Sequence, residues 1–202
     1  MNQSTGRKST ENAAAREGAV AVCSREGRTD ATVAIAGRYH VQCHNAAGEL
    51  QWEDTADNLV TVPGKNLALD TYLAGAGYTV TGPFIGLADA NVAAAVNTDT
   101  LASKTTWKEI GVANAPTYTG PRKTVTTWGA AAGGSKVNST VLTFAITGPG
   151  SVGGCFLVLG AGATSAIDGT VGTLYSVGAF TGGTKVVQSG DALTVTYTAT
   201  LT

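Results

Sequence analysis

Hydrophobic and polar residues alternate strictly at the end of the chain. In DALTVTYTATLT (191–202), Leu193, Val195, Tyr197, Ala199 and Leu201 are apolar, and Thr194, Thr196, Thr198 and Thr200 stand between them. A period of two is that of a strand with one face in a core. The other face is unusual: a solvated sheet face ordinarily carries lysines and glutamates, whereas this one carries only hydroxyls. Upstream, GGSKVNSTVLTFAITG puts Leu142, Phe144 and Ile146 on one side of a strand. CFLVLG, from Cys155, is a continuous apolar run of the kind found in strands buried on both faces. TLYSVGAF, PFIGLAD and KTVTTWGAA read as further strands, and GPGSVGG and TGGTK as turns.

Nearer the N-terminus, β character begins at Thr32–Ile35. RYHVQCHN, the short loop AAGE with Gly48, and LQWEDTADNLV together predict a β-hairpin. Extended structure continues through LVTV to Pro63. Leu67, Leu69, Tyr72 and Leu73 then suggest a short amphipathic helix stopped by Gly75 and Gly77. A second candidate helix is DTLASKTTWKEI, where Leu101, Trp107 and Ile110 could share a stripe that Thr105 and Thr106 weaken. NVAAAV is ambiguous. The pattern predicts an all-β fold, a β-sandwich or jelly-roll-like domain with one or two short helices. Residues 1–30 read as a flexible polar arm and 31–202 as the domain. Within it lie a hairpin (31–62), a short helix (63–77) and a main β region (111–202).

Charge sharpens this division. Of 202 residues, 27 are charged and the net charge is −1, so no field favours nucleic acid or an anionic membrane. Residues 137–202 contain only Asp168, Lys185 and Asp191 as charged groups. A surface so poor in charge lacks the usual barrier to association, which points to coverage by partners. The polar start of the chain shows no apolar run typical of a secretory signal, and no run reaches the ~18 residues that span a bilayer.

Candidate chemistry is sparse. In HVQCH, His40, Gln42 and His44 point to one side of a strand and Val41 and Cys43 to the other, so the four ligands of a structural zinc are not assembled. Glu53, Asp54 and Asp57 read as a solvated hairpin edge rather than a catalytic pair. No nucleophile elbow occurs, and the glycines of LAGAG and LGAGA lack the lysine and Ser/Thr of a phosphate loop. Cys23, Cys43 and Cys155 form no disulfide framework. Trp52, Trp107 and Trp128 are widely spaced and read as core or interface anchors, with sugar stacking as the alternative. These features predict no enzyme and no cofactor.

Residues 44–75, HNAAGELQWEDTADNLVTVPGKNLALDTYLAG, resemble a recurring element in virion proteins of tailed bacteriophages. The features that carry the resemblance are Trp52 on a return strand, Asn58-Leu59-Val60-Thr61, Gly64-Lys65-Asn66 and Leu69-Asp70. The terminal GTLYSVGAFTGGTKVVQSGDALTVTYTATLT is similar to the end of the same proteins. The likeness spans 44–202, is looser over 90–135, and does not extend to the first thirty residues. It implies a small virion structural protein: a capsid decoration or cement protein that binds the major capsid protein and itself, as a dimer or trimer. The alternatives are a tail-fibre or spike module binding a host glycan through Trp107 or Trp128, and a head–tail adaptor. Expected partner contacts are Arg7, Lys8 and Arg16 of the arm, the ladder Thr194, Thr196, Thr198 and Thr200, and Trp128.

Overall fold

A computed structural model describes residues 34–73 and 81–202. Among these residues the fold is mainly β, built from antiparallel sheets with one α-helix. The first sheet contains β1 (Ile35–His44), β2 (Leu50–Asp57), β6 (Ser135–Val137), β7 (Leu142–Ala145) and β12 (Ala192–Leu201). Its order is β2-β1-β12, with β6 and β7 both pairing the far side of β12. The second has the order β3-β10-β9-β4-β5, from β3 (Leu59–Val60), β10 (Thr173–Ala179), β9 (Gly154–Leu159), β4 (Phe84–Ala88) and β5 (Lys123–Thr124). A two-stranded sheet pairs β8 (Gly150–Val152) with β11 (Lys185–Val187).

The hairpin forms as its sequence predicts. Asn45 closes the loop by accepting the Ala47 and Glu49 N–H groups on its side-chain oxygen, both at 2.9 Å. Gly48 supplies the positive φ of 82° that the turn requires. The chain then leaves the first sheet at Asn58, and β3 pairs β10 in the second. Thr61 caps the helix α1 (Val62–Leu73): its hydroxyl accepts the Gly64 N–H at 3.0 Å and donates to the Leu174 carbonyl. Pro63 occupies the first turn, where its missing N–H costs nothing.

Inner residues of both large sheets meet in one apolar cluster. Tyr39, Val41, Phe144, Leu193 and Val195 from the first pack with Ile85, Leu87, Cys155 and Leu157 from the second. Each fully buried side chain of this size contributes about 1.5–3 kcal/mol. β9 is buried on both faces, as its unbroken apolar run predicts. Its outer side chains Phe156 and Val158 join Val92, Leu101, Trp107 and Leu174 in a second cluster.

Several expectations fail, each for a physical reason. DTLASKTTWKEI is not helical. Leu101 and Trp107 enter the second cluster while Ile110 enters the first, so no single helix face could serve all three. Asp99 fixes the alternative by accepting from Trp107 Nε1 at 2.9 Å and from the Val96 N–H at 3.2 Å. NVAAAV resolves into a 3-10 turn, Ala90–Ala94, capped by Asp89. KTVTTWGAA shrinks to the two residues of β5, and GPGSVGG contains β8 rather than being all turn. The stretch after Gly111 is not β throughout: 111–122 and 160–172 are irregular connections.

The helix buries a different stripe from the one expected. Gly64 and Leu67 face inward, while Leu69, Tyr72 and Leu73 are 55%, 84% and 72% exposed. Gly64 decides this register, because it lies so close to the Tyr175 backbone that a Cβ would collide with it.

Glu109 and Arg122 tie the irregular connections together. Arg122 donates from Nε and Nη2 to the two Glu109 carboxylate oxygens at 2.8 and 2.7 Å, and both side chains are fully buried. Arg122 also donates to the Thr164 and Gly169 carbonyls, and Glu109 accepts the Asp168 N–H at 2.8 Å. Breaking a buried pair from one side strands a charge and costs roughly 3–5 kcal/mol. Accordingly, Glu109→Gln should lower the denaturant midpoint sharply, whereas the double change Glu109→Leu with Arg122→Met should recover much of the loss. Equilibrium urea unfolding of the three proteins checks this, and a Glu109→Gln cost below about 1 kcal/mol would contradict it.

Candidate functional site

The threonine ladder occupies the outer face of β12, which is a central strand with both neighbours in place. Thr194, Thr196, Thr198 and Thr200 are all partly exposed. They do not form an uncharged face, because the adjoining rows carry the charges missing from β12. Arg38 stands opposite Thr198 and His40 opposite Thr196, and on β2 Asp57 stands opposite Arg38 and Glu53 opposite Gln42. Arg38 Nε pairs with Asp57 at 2.6 Å, and Gln42 donates to Glu53 at 3.2 Å. The ladder can therefore meet a partner face-on, but not by strand addition. Arg7, Lys8 and Arg16 lie outside the described residues.

His40, Gln42 and His44 point outward and Val41 and Cys43 inward, as strand geometry predicts. Among the described residues, no cluster of three His, Cys, Asp or Glu could hold a metal, and no helix is long and apolar enough to cross a membrane. The acidic trio divides. Glu53 and Asp57 are exposed on the edge strand, but Asp54 turns inward to meet Lys185 Nζ at 2.9 Å and the Gly182 N–H at 3.0 Å. It anchors the 181–185 turn and is not a solvated group.

Trp107 is buried against Phe156, with ring centroids 5.3 Å apart, so it offers no sugar platform. Trp128 is partly buried and sits edge-on to Tyr197 at 6.3 Å. Its backbone forms an isolated antiparallel bridge with that of Asn138, whose buried amide oxygen accepts the Tyr197 N–H at 2.5 Å. Trp128, Tyr175, Leu159, Pro83, Leu67 and Tyr72 line an open groove of about 610 Å³ beside α1. Below it, Tyr197 accepts from Asn58 Nδ2 at 2.9 Å, and Tyr39 and Ser176 share a hydroxyl contact at 2.9 Å. Burial pushes the Tyr39 and Tyr197 hydroxyls well up from their ordinary range, so both stay neutral at physiological pH. Such walls suit an apolar side chain far better than a sugar, which needs several hydrogen-bonding groups at once.

No local pattern along the chain signals this groove. Its lining residues come from α1, the 81–83 and 125–129 connections, β9, β10 and β12. The segment leading into α1 supports the groove from behind: Asn58 holds Tyr197, Thr61 caps α1, and Gly64 lets the helix approach β10. Comparison with family models, curated proteins and solved structures finds no match to this chain.

Two measurements test this description. Burial pushes the Cys43 thiol up to about 12, with Asp191 nearby adding to it, and burial raises Cys155 further. Iodoacetamide at pH 8 should therefore leave both unmodified in the folded protein and modify both in urea, as read by peptide mass spectrometry. At Asp54, burial raises the carboxyl, but bonds from Lys185, Thr55 and Gly182, together with the Lys185 charge, outweigh it and hold the pKa below the ordinary 3.8. A depressed carboxylate adds stability that is complete above its unfolded value and vanishes as pH falls through the folded one. Lys185→Met should thus destabilise the protein at pH 7 but hardly at all near pH 2, as followed by urea midpoints across that range.

Proposed function

We propose that this chain is a non-enzymatic structural component of a tailed-bacteriophage virion, a capsid decoration protein that docks on the major capsid protein. One observation carries the reading. On helix α1, Tyr72 stands in water while lining the Trp128 groove, and Leu69 and Leu73 are exposed on the same helix, although the chain buries comparable residues elsewhere. Exposed apolar side chains grouped around a groove mark an interaction surface. The core shared by the two large sheets favours a β-sandwich as the finer description of the fold.

The size of the patch bears on its partner. An aromatic side chain such as Tyr72 covers about 150–250 Å² when buried, and with two smaller leucines the exposed apolar area is on the order of a few hundred Å². A stable free dimer uses about 800 Å² per partner. The patch suits one contact among many in a shell, where repetition raises the total strength. An apolar ridge of the capsid protein is therefore the occupant we assign, and contacts between copies, including the threonine face, complete the lattice. Residues Arg7, Lys8 and Arg16 would lie against acidic shell surface in this reading. The location is the virion, with assembly in the host cytoplasm.

The double variant Tyr72→Ser, Leu73→Ser tests the assignment. Both side chains are exposed, so the melting temperature should move by less than about 2 °C. Co-sedimentation with purified shells lacking the protein should weaken at least tenfold. Undiminished shell binding would refute the assignment. So would native mass spectrometry showing a six- or twelve-fold ring, the mark of an adaptor.

A further inference from the structure

At the other end of β12 from the Trp128 groove, a hollow of about 630 Å³ has the opposite chemistry. It lies between the tip of the β1–β2 hairpin and the residues that follow β11. Trp52 forms one wall. Its ring is held by Phe180 at a centroid distance of 5.9 Å and by donation from Nε1 to the Val186 carbonyl at 3.3 Å. The ring is thus fixed in place yet only partly buried. Around it stand Gln51, Gln188, Ser189, Asn45 and Asp191.

Local bonds set Asp191, Asn45, Ser189, which donates to the Thr147 carbonyl at 3.0 Å, and Gln51, which donates to the Glu49 carbonyl at 3.3 Å. Asp191 accepts the Gln188 N–H at 2.7 Å on Oδ2, which closes the turn before β12. Asn45 is committed to the hairpin loop. The amides of Gln51 and Gln188 lie on exposed residues at the rim.

We propose that this hollow binds a neutral carbohydrate. A sugar presents an apolar C–H face and an edge of hydroxyls that each donate and accept. The Trp52 ring suits the first, and carboxamides, which also donate and accept, suit the second. Asp191 adds an acceptor for a hydroxyl pair. No Lys or Arg lines the hollow, so an anionic ligand would meet Asp191 with nothing to balance its charge. The volume lies within the range of about 300–1,000 Å³ usual for ligand sites. The ligand would therefore stack on Trp52, and neither Trp107 nor Trp128 would contribute. The site is independent of the α1 surface: a glycan could be bound by this chain whether or not it docks on a shell.

Saturation-transfer NMR on the full chain tests this, with the methyl glycosides of glucose, galactose, N-acetylglucosamine and rhamnose as probes. At least one should bind with a Kd on the order of 1 mM. Gln188→Ala, an exposed change, should weaken that binding about fivefold or more, and Trp52→Phe about tenfold or more. Trp128→Ala, and the Tyr72 and Leu73 double variant, should leave it within about twofold. Gln188→Ala keeps the test decisive if Trp52→Phe disturbs the fold. Absence of transfer from all four probes at about 10 mM would overturn the proposal. Binding left within about twofold by Gln188→Ala, or lost with Trp128→Ala, would overturn it too.

Discussion

A carboxylate and a guanidinium with no exposure to water set the strongest constraint in this fold. Either one alone in the interior would be prohibitively costly, so Glu109 and Arg122 must meet, and must meet with good geometry. Their meeting brings together three stretches with little regular structure of their own. These are the strand-like approach of Trp107–Ile110, the turn before β5, and the 164–169 loop, where Asp168 adopts a positive φ of 60°. Once these are joined, Trp107 can close over Phe156 on the outer side of β9, and Ile110 can enter the space between the sheets. Much of the burial of β9 on both faces thus depends on a contact made outside any sheet.

The two hollows show how one scaffold can offer different chemistries. At one end of β12 the lining is drawn from α1 and the ends of several strands, and is nearly all apolar. At the other, the hairpin tip and the 186–191 segment supply amides, a hydroxyl and a carboxylate beside an indole. Tryptophan occurs at both, so a tryptophan does not reveal what a surface takes. The groups within hydrogen-bonding reach of the ligand decide it, since buried polar atoms without partners are costly and apolar walls cannot satisfy hydroxyls. A virion component carrying both surfaces would use the apolar one toward its own particle and the polar one toward the outside.

The threonine ladder is explained by its neighbours. A central strand is flanked on both sides, so its outward residues are partly screened and need no charge of their own. Threonine suits this position because it favours extended backbone and fits a half-buried pleat. Arg38, His40, Glu53 and Asp57 on the adjoining strands keep the face polar, and the charges on β2 guard an edge where another strand could add.

The sequence by itself determined the strands whose pattern is local. The alternation of 193–201, the apolar run from Cys155 to Leu159, and the hairpin with Gly48 at its turn all form as read, because side-chain period and turn chemistry act over a few residues. It also determined that His40 and His44 share a face without Cys43. Tertiary structure alone decided the rest. Leu101, Trp107 and Ile110, read as one helix stripe, serve two different cores, and α1 turns Leu69, Tyr72 and Leu73 outward because only Gly64 permits close approach to β10. The pairing of Glu109 with Arg122, the inward turn of Asp54 toward Lys185, and the grouping of Trp52 with Gln188 join residues 13 to 136 positions apart. Nothing in a local pattern records such distances, because the energy that selects them comes from removing charge and apolar surface from water together.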